Sequence, residues 1–344
     1  MTDIRGIGGS APKAFFQSGM RSRDLAAEMG ISEAELLADH EGPEVSPLRL
    51  DAPALLAALP TLGEVMCLTR NEVAVHEKVG TFGVTRLSDH AGFMRNGELD
   101  LRLFPKVWSA AFAVELPGDG GPRRSLQIFD RHGDAAVKVH LRPSSDVAAF
   151  DEIRLRFAIA APLRLDLSPA PVAPLAVAQP EDPEGFLRSF QAMTDVHQFF
   201  PLLKRHDLAR RQALSLLDGT YAARLTETAP RLLMERAAGR GQPIMCFVGS
   251  RGCIQIHSGP IQTVKPVGPW LNILDPGFNL HLREDLVAEA WRVRKPSRFG
   301  FVTSVELYDA AGSLVTQFFG VRDEDKAEDP NWNALAESLP EMPR

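Results

Sequence analysis

Residues 194–203 read Thr-Asp-Val-His-Gln-Phe-Phe-Pro-Leu-Leu, and they hold the sharpest local chemistry in this chain. His197 carries an imidazole nitrogen that can ligate a metal ion. Phe199 and Phe200, two and three residues on, can pack on a planar face, and Arg205 and Arg210 can pair with carboxylates. Together these are the parts of a site for a flat anionic ligand. Haem meets all three requirements, with an open axial position on iron, a broad apolar face and two propionates. A plainer role fits the same residues: His197 as a helix-capping or core histidine beside an ordinary aromatic stripe. The local residues leave both readings open.

The elements that must position this segment come in two copies. Met66-Cys67 returns as Met245-Cys246, an offset of 179, and the run from Arg70 to His76 returns from Arg251 to His257, an offset of 181. Leu99-Asp100-Leu101-Arg102-Leu103 returns as Phe278-Asn279-Leu280-His281-Leu282, and Ile128-Phe129-Asp130 with Gly133 as Leu307-Tyr308-Asp309 with Gly312. So long a period in only two copies marks a duplicated domain rather than a solenoid. Two related halves create an interface, a place where ligands tend to bind.

Alternation over 99–104, 110–115, 125–129 and 136–141 predicts strands joined by Gly-rich turns, followed by a helix near 144–158. The prolines from 169 to 183 exclude regular helix and predict a semi-rigid linker. Residues 184–193 and those from 195 onward have helical period, and strands resume over 244–317. Within that stretch 270–277 reads as a turn-rich loop and 284–289 as a polar turn. A short helix is expected near 332–338, after an acidic segment at 323–329.

Residues 22–37 predict two short helices, with Gly30 stopping the first and Ser32 with Glu35 forming a capping box for the second. The spacing mimics a DNA-binding helix-turn-helix, but the second helix carries Glu33, Glu35 and Asp39 where basic and polar groups should meet phosphates. A packed helix pair is the expectation. The net charge of −6 likewise argues against a broad nucleic-acid surface. Three cysteines without paired spacing fit a reducing compartment, and no apolar run is long enough to span a bilayer. The bulk properties therefore predict a cytoplasmic protein without membrane insertion.

Several segments read together resemble the HemS/ChuS-type family of cytoplasmic haem-utilisation proteins, also called hemin-degrading factors. They are 194–201, 248–257 (Val-Gly-Ser-Arg-Gly-Cys-Ile-Gln-Ile-His), 271–283 with its Asp-Pro-Gly-Phe-Asn-Leu-His-Leu-Arg run, 317–322 and 70–80. The resemblance extends from about residue 26 to 322 and includes the repeat. It implies an α+β fold, a tandem duplication of two similar halves, each a large antiparallel sheet with flanking helices, stacked back to back. The corresponding division is a helical segment at 1–50, a first repeat at 51–165, a Pro-rich linker at 166–183, a second repeat at 184–325 with the axial-ligand helix, and an acidic tail with a short helix at 326–344.

The resemblance further implies that His197 is the proximal ligand of haem iron. It makes Arg102 the distal arginine, hydrogen-bonding a water or oxygen species on the iron, and so the catalytic residue if the macrocycle is opened. Arg210, Lys295, Gln317 and Arg322 match positions around the propionates, and Phe104 and Phe200 match packing partners of the porphyrin. The implied function is to receive imported haem and either degrade it, as an oxygenase using an external electron donor, or deliver it. The alternatives are a non-catalytic haem chaperone or store and, more remotely, a DNA-binding regulator. Haem, an electron donor or the haem-import machinery are the expected partners, and the chain is expected as a monomer or homodimer. Phe319 stands where the family often carries tyrosine, and Val107 where some members carry a polar residue, so a propionate contact is lost and the distal pocket is drier.

His76 and His257 occupy equivalent repeat positions and read as structural, with His76 kept as a reserve iron ligand. His281, which matches Arg102 in the repeat, reads as structural or as a support behind the site, while His40, His90, His132, His140 and His206 read as solvated or loop residues. No pair of histidines and cysteines has zinc-site spacing.

Overall fold

Small and branched side chains alternating through segments such as 108–116 and 300–308 favour extended backbone. The computed structural model describes residues 20–88, 91–159, 162–170, 181–323 and 325–343, and antiparallel strands dominate it. His90 and most of the expected linker fall outside the described residues. In chain order the strands are β1 (Val45–Leu48), β2 (Glu64–Arg70), β3 (Ala74–Thr81), β4 (Arg86–Leu87), β5 (Gly92–Asn96), β6 (Leu99–Leu103), β7 (Trp108–Leu116), β8 (Arg123–Asp130) and β9 (Ala135–Leu141). A second series follows: β10 (Ala222–Leu225), β11 (Ile244–Gly249), β12 (Cys253–Gly259), β13 (Val264–Val267), β14 (Trp270–Asp275), β15 (Phe278–Arg283), β16 (Glu289–Ser297), β17 (Gly300–Tyr308) and β18 (Leu314–Gly320). The helices are α1 (Ser22–Met29), α2 (Glu33–Ala38), α3 (Ala52–Ala58), α4 (Val147–Phe157), α5 (Pro183–Gln191), α6 (Phe199–Arg205), α7 (Arg210–Leu217), α8 (Ala229–Arg240) and α9 (Pro330–Glu337). Among the described residues no helix is long and apolar enough to cross a membrane.

The described residues form two compact units. The first draws on Met1–Arg70, Glu77–Ala170 and Ser250–Gln255, the second on Asn71–His76, Pro171–Gly249 and Ile256–Arg344. In the first unit β1-β7-β8-β9-β2 lie side by side in that order, as do β6-β5-β4. In the second unit β10-β16-β17-β18-β11 and β15-β14-β13 repeat both arrangements strand for strand. Registers repeat as well. Gln127 lies opposite Phe112 and Lys138, and Glu306, 179 residues later, opposite Trp291 and Gln317. The α+β duplication expected from the sequence is thus present in detail.

Each unit includes a short segment from the other half of the chain, and the two segments are equivalent in the repeat. In the first unit the Gly252 carbonyl accepts hydrogen bonds from the Phe104 backbone N–H and from Trp108 Nε1, both at 3.0 Å. Gln255 Nε2 donates to the Cys67 carbonyl at 3.0 Å, and Arg251 pairs with Asp130 and Asp134. Glycine is required at 252 by close approach: a Cβ there would lie 2.6 Å from Ala136 Cβ and 2.7 Å from Trp108 Nε1. In the second unit Asn71 Nδ2 donates to the Val315 carbonyl at 2.8 Å, and Val73 and Ala74 join the hydrophobic core.

Helices cover the strands where apolar faces meet them. Phe150, Ile153 and Phe157 of α4 enter the core of the first unit with Leu126, Ile128 and Val137. In the second unit α8 and α9 cover Val305, Leu307 and Phe318, while Phe186, Phe190, Phe199 and Leu214 cover Trp291, Val293 and Tyr308. The capping box of Ser32 and Glu35 forms, and Glu33 is buried against Lys138 and Ser22. That helix pair packs into its unit, with its acidic side chain turned inward.

Two readings of the sequence are corrected. Residues 270–275 are strand β14, not a loop: Asn272 is buried, and its amide nitrogen donates to the Lys265 carbonyl at 3.0 Å across to β13. Its polar composition suggested a turn, but the side chain is satisfied inside the sheet. His140 is not a solvated loop residue. It is half-buried on β9 opposite Met66 and Ser125, and burial first, then the Lys138 charge, push its imidazole down to about 4. All three cysteines are buried thiols, with Cys246 and Cys253 pushed up to about 12 by burial, which makes them poor nucleophiles.

Candidate functional site

Thr-Asp-x-x-Gln is a tight N-terminal signature, and it folds as one. Asp195 accepts the backbone N–H of His197 at 2.8 Å, and Gln198 Oε1 reaches back to the N–H groups of Thr194 and Asp195 at 2.8 and 3.2 Å. This reciprocal box shapes a single 3-10 turn, Val196–Gln198, which leads directly into α6. The turn holds His197 outward, with 72% of its side chain exposed.

Asp195 fixes the imidazole as well. Its Oδ1 lies 2.7 Å from His197 Nδ1. The hydrogen bonds from His197, with the Arg322 charge, hold the Asp195 carboxyl below its ordinary value. Ionised, it can only accept, so Nδ1 donates in this bond and Nε2 is left outside it. A histidine oriented in this way is prepared to bind a metal ion through Nε2. The ring borders a pocket of about 230 Å³ lined also by Arg298, Phe299, Arg322 and Asp325. Phe299 of that lining is exposed, as is Phe200, three residues after His197. Arg298 is anchored by its backbone N–H on the Thr194 carbonyl at 2.8 Å.

The same unit holds a second, buried arrangement. Glu306 has no solvent exposure and accepts from five side chains. Arg210 Nε and Nη2 each donate at 2.8 Å, Lys295 Nζ at 2.6 Å, Tyr308 OH at 2.7 Å, Ser304 Oγ at 2.8 Å and Gln317 Nε2 at 3.0 Å. Arg210 and Lys295 hold the Glu306 carboxyl far below the usual range despite its burial. Burial lowers the Lys295 ammonium to about 8, since its loss of water and the Arg210 charge outweigh Glu306. Arg210 and Lys295 also face the Phe199 ring, at 5.1 and 5.5 Å from its centre. Phe199 thus joins the buried charges to the turn that carries His197.

The structure therefore brings His197 and Arg322 to one pocket and gathers Arg210, Lys295 and Gln317 into a buried cluster of the same unit. The sequence reading set those three around propionates; here they surround Glu306, a residue it did not single out. Arg298 and Asp325 were missed as well. Phe200 is 60% exposed, with Lys204 Nζ 4.7 Å from its ring centre. Arg102 and Phe104 belong to the first unit. The Arg102 guanidinium pairs with Asp100 and stacks 4.3 Å from the Phe93 ring centre, and half-buried Phe104 follows β6. His76 is completely buried with its ring centre 4.8 Å from that of Phe278, whose other neighbour, His257, stacks on it at 3.9 Å. That enclosure suits the structural reading of His76 better than its reserve role as an iron ligand.

The chain matches the haemin-degrading HemS.ChuX domain over residues 30–157 and 207–339. It is 42% identical over 315 residues to the hemin transport protein HmuS of Yersinia pestis, covering 91% of each. The crystal structure of holo-PhuS, a heme-binding protein from Pseudomonas aeruginosa, superposes with a TM-score of 0.91 at 41% identity, over 96% of this chain and 98% of that one. The heme degrading enzyme ChuS of Escherichia coli O157:H7 superposes with a TM-score of 0.88 at 41% identity, over 94% and 95%. With a family match in both halves and such relatives across nearly its whole length, the chain belongs to the family of haemin-degrading HemS.ChuX-domain proteins.

Proposed function

We propose that this protein binds haem through His197 and either opens the macrocycle or hands haem on. The observation that carries the reading is the geometry of His197: Nδ1 is held by Asp195 at 2.7 Å, and Nε2 is left outside that bond on an exposed, capped turn. The surroundings fit the ligand's other parts. Phe299 in the pocket and exposed Phe200 on the adjoining helix offer apolar faces, and Arg298 and Arg322 offer donors to carboxylates. Bound haem would supply the redox-active iron and, if ring opening occurs, the substrate as well. The protein's part is to orient the imidazole, to pair the propionates and to shield the apolar face. Arg102 keeps the distal role implied by the family resemblance, with its guanidinium oriented by Asp100 and Phe93.

Degradation requires electrons from an external donor. Delivery without ring opening is the second reading, favoured by the exposure of His197, which leaves the ligand within reach of an acceptor. A reducing cytoplasm suits the three buried thiols and both readings. Hemin titration followed in the Soret band is the test of the shared step. Wild type is expected to show a saturable shift that His197→Ala loses or alters in spectrum; identical titrations would remove His197 from the site. Bleaching of the bound haem under reductant and oxygen, with catalase present, then separates ring opening from delivery.

A further inference from the structure

Glu306 accepts from five side chains, and the equivalent position of the first unit does without a carboxylate. The first unit supplies the comparison. Gln127 occupies the same register position, opposite Phe112 and Lys138 as Glu306 is opposite Trp291 and Gln317. It is buried in the same strand context, and its amide donates to Ser125 Oγ at 3.1 Å. A neutral amide therefore serves this position in the same topology. A carboxylate buried there is costly unless its charge is needed.

Its partners show the need. Arg210 of α7, Lys295 of β16, Ser304 and Tyr308 of β17 and Gln317 of β18 all face Glu306. Two cations against one carboxylate leave the cluster one positive charge in excess. That excess lies against Phe199, two residues after His197. We propose that Glu306 is a positioning residue of the haem site: its carboxylate holds Arg210 and Lys295 against the Phe199 ring and keeps Lys295 charged, so that the cluster attracts the ligand's carboxylates. This rests on the haem-binding reading above. Lys295 is the member of the cluster that changes charge near neutrality, because burial lowers it to about 8. Arg210 stays protonated, Glu306 ionised and Tyr308 neutral, since each is shifted further from that range.

The experiment is a hemin titration of wild type, Glu306→Gln and His197→Ala between about pH 7 and 9. Wild-type affinity is expected to fall as pH rises through the Lys295 titration. Glu306→Gln should fold, as Gln127 does in its place, yet bind about tenfold more weakly at neutral pH and lose that step. A residue that only packs would lower the thermal midpoint and leave the step where it was. If Glu306→Gln matches wild type in affinity and pH profile while His197→Ala loses the Soret shift, this inference falls and the haem reading stands. If His197→Ala titrates like wild type, both fall. Should Glu306→Gln fail to fold, the claim that the fold does not require the carboxylate is overturned, and Lys295→Met tests the remainder: an unchanged pH step in that variant overturns it as well.

Discussion

His197 and Asp195 act as one unit. The carboxylate caps the turn through a backbone N–H and orients the ring through Nδ1, so a single side chain sets both position and tautomer. Asp195→Asn separates the two tasks. Asparagine caps as well as aspartate, so the thermal midpoint should hold. The imidazole loses its anionic partner, and hemin affinity should drop about 10–100-fold. A drop in stability with unchanged affinity would show that Asp195 only shapes the turn. His197 was legible in the sequence because its signal is local, whereas its pairing with Asp195 came from the structure. Glu306 was not, because the groups that give it meaning come from α7, β16, β17 and β18, and one charged residue in a strand discloses none of them.

The elements carry their own liabilities. His140 sits on β9 where the equivalent position on β18 is Phe319: each faces the methionine of its copy, Met66 or Met245. The folded imidazole titrates at about 4, below its ordinary 6.5, so the unfolded chain takes up the proton first as pH falls. The associated stability is fully present above pH 6.5 and is lost as pH falls from 6.5 towards 4, a span worth about 3 kcal/mol. His140→Phe should lessen the difference between urea midpoints measured above and below that span; an unchanged difference would place the acid sensitivity elsewhere. Gly252 is the other sensitive point. Gly252→Ala should lower the thermal midpoint by an amount corresponding to about 1–3 kcal/mol, because the added Cβ meets Ala136 and Trp108. An unaltered midpoint would mean that the segment retracts without penalty. The strands themselves were readable from alternation, but β14 was not, since Asn272 and Asp275 are turn formers by composition whose side chains are satisfied within the sheet and its turn.

Over the whole molecule, duplication and divergence decide how many ligands bind. In the first unit Lys138 is met by Glu33, so that cluster is neutral; the equivalent cluster in the second unit retains a positive charge. One hemin per chain is the expected stoichiometry by Soret titration with native mass spectrometry. Two tightly bound hemins would contradict the charge argument. At a free concentration of about 100 times Kd, one bound ligand should add about 2.7 kcal/mol of stability.

By itself the sequence determined the duplication, the antiparallel strands, the packed helix pair and the segment around His197. Each rests on short-range pattern: a period of two, a capping box, a repeated register of apolar residues. Tertiary structure alone decided which residues of the repeats trade places between the compact units and which buried charges meet. Those outcomes depend on groups far apart in the chain, and equivalent copies read identically whichever unit they join. A strand's periodicity tells which face a side chain occupies, but only its neighbours across the sheet determine whether a buried charge is matched.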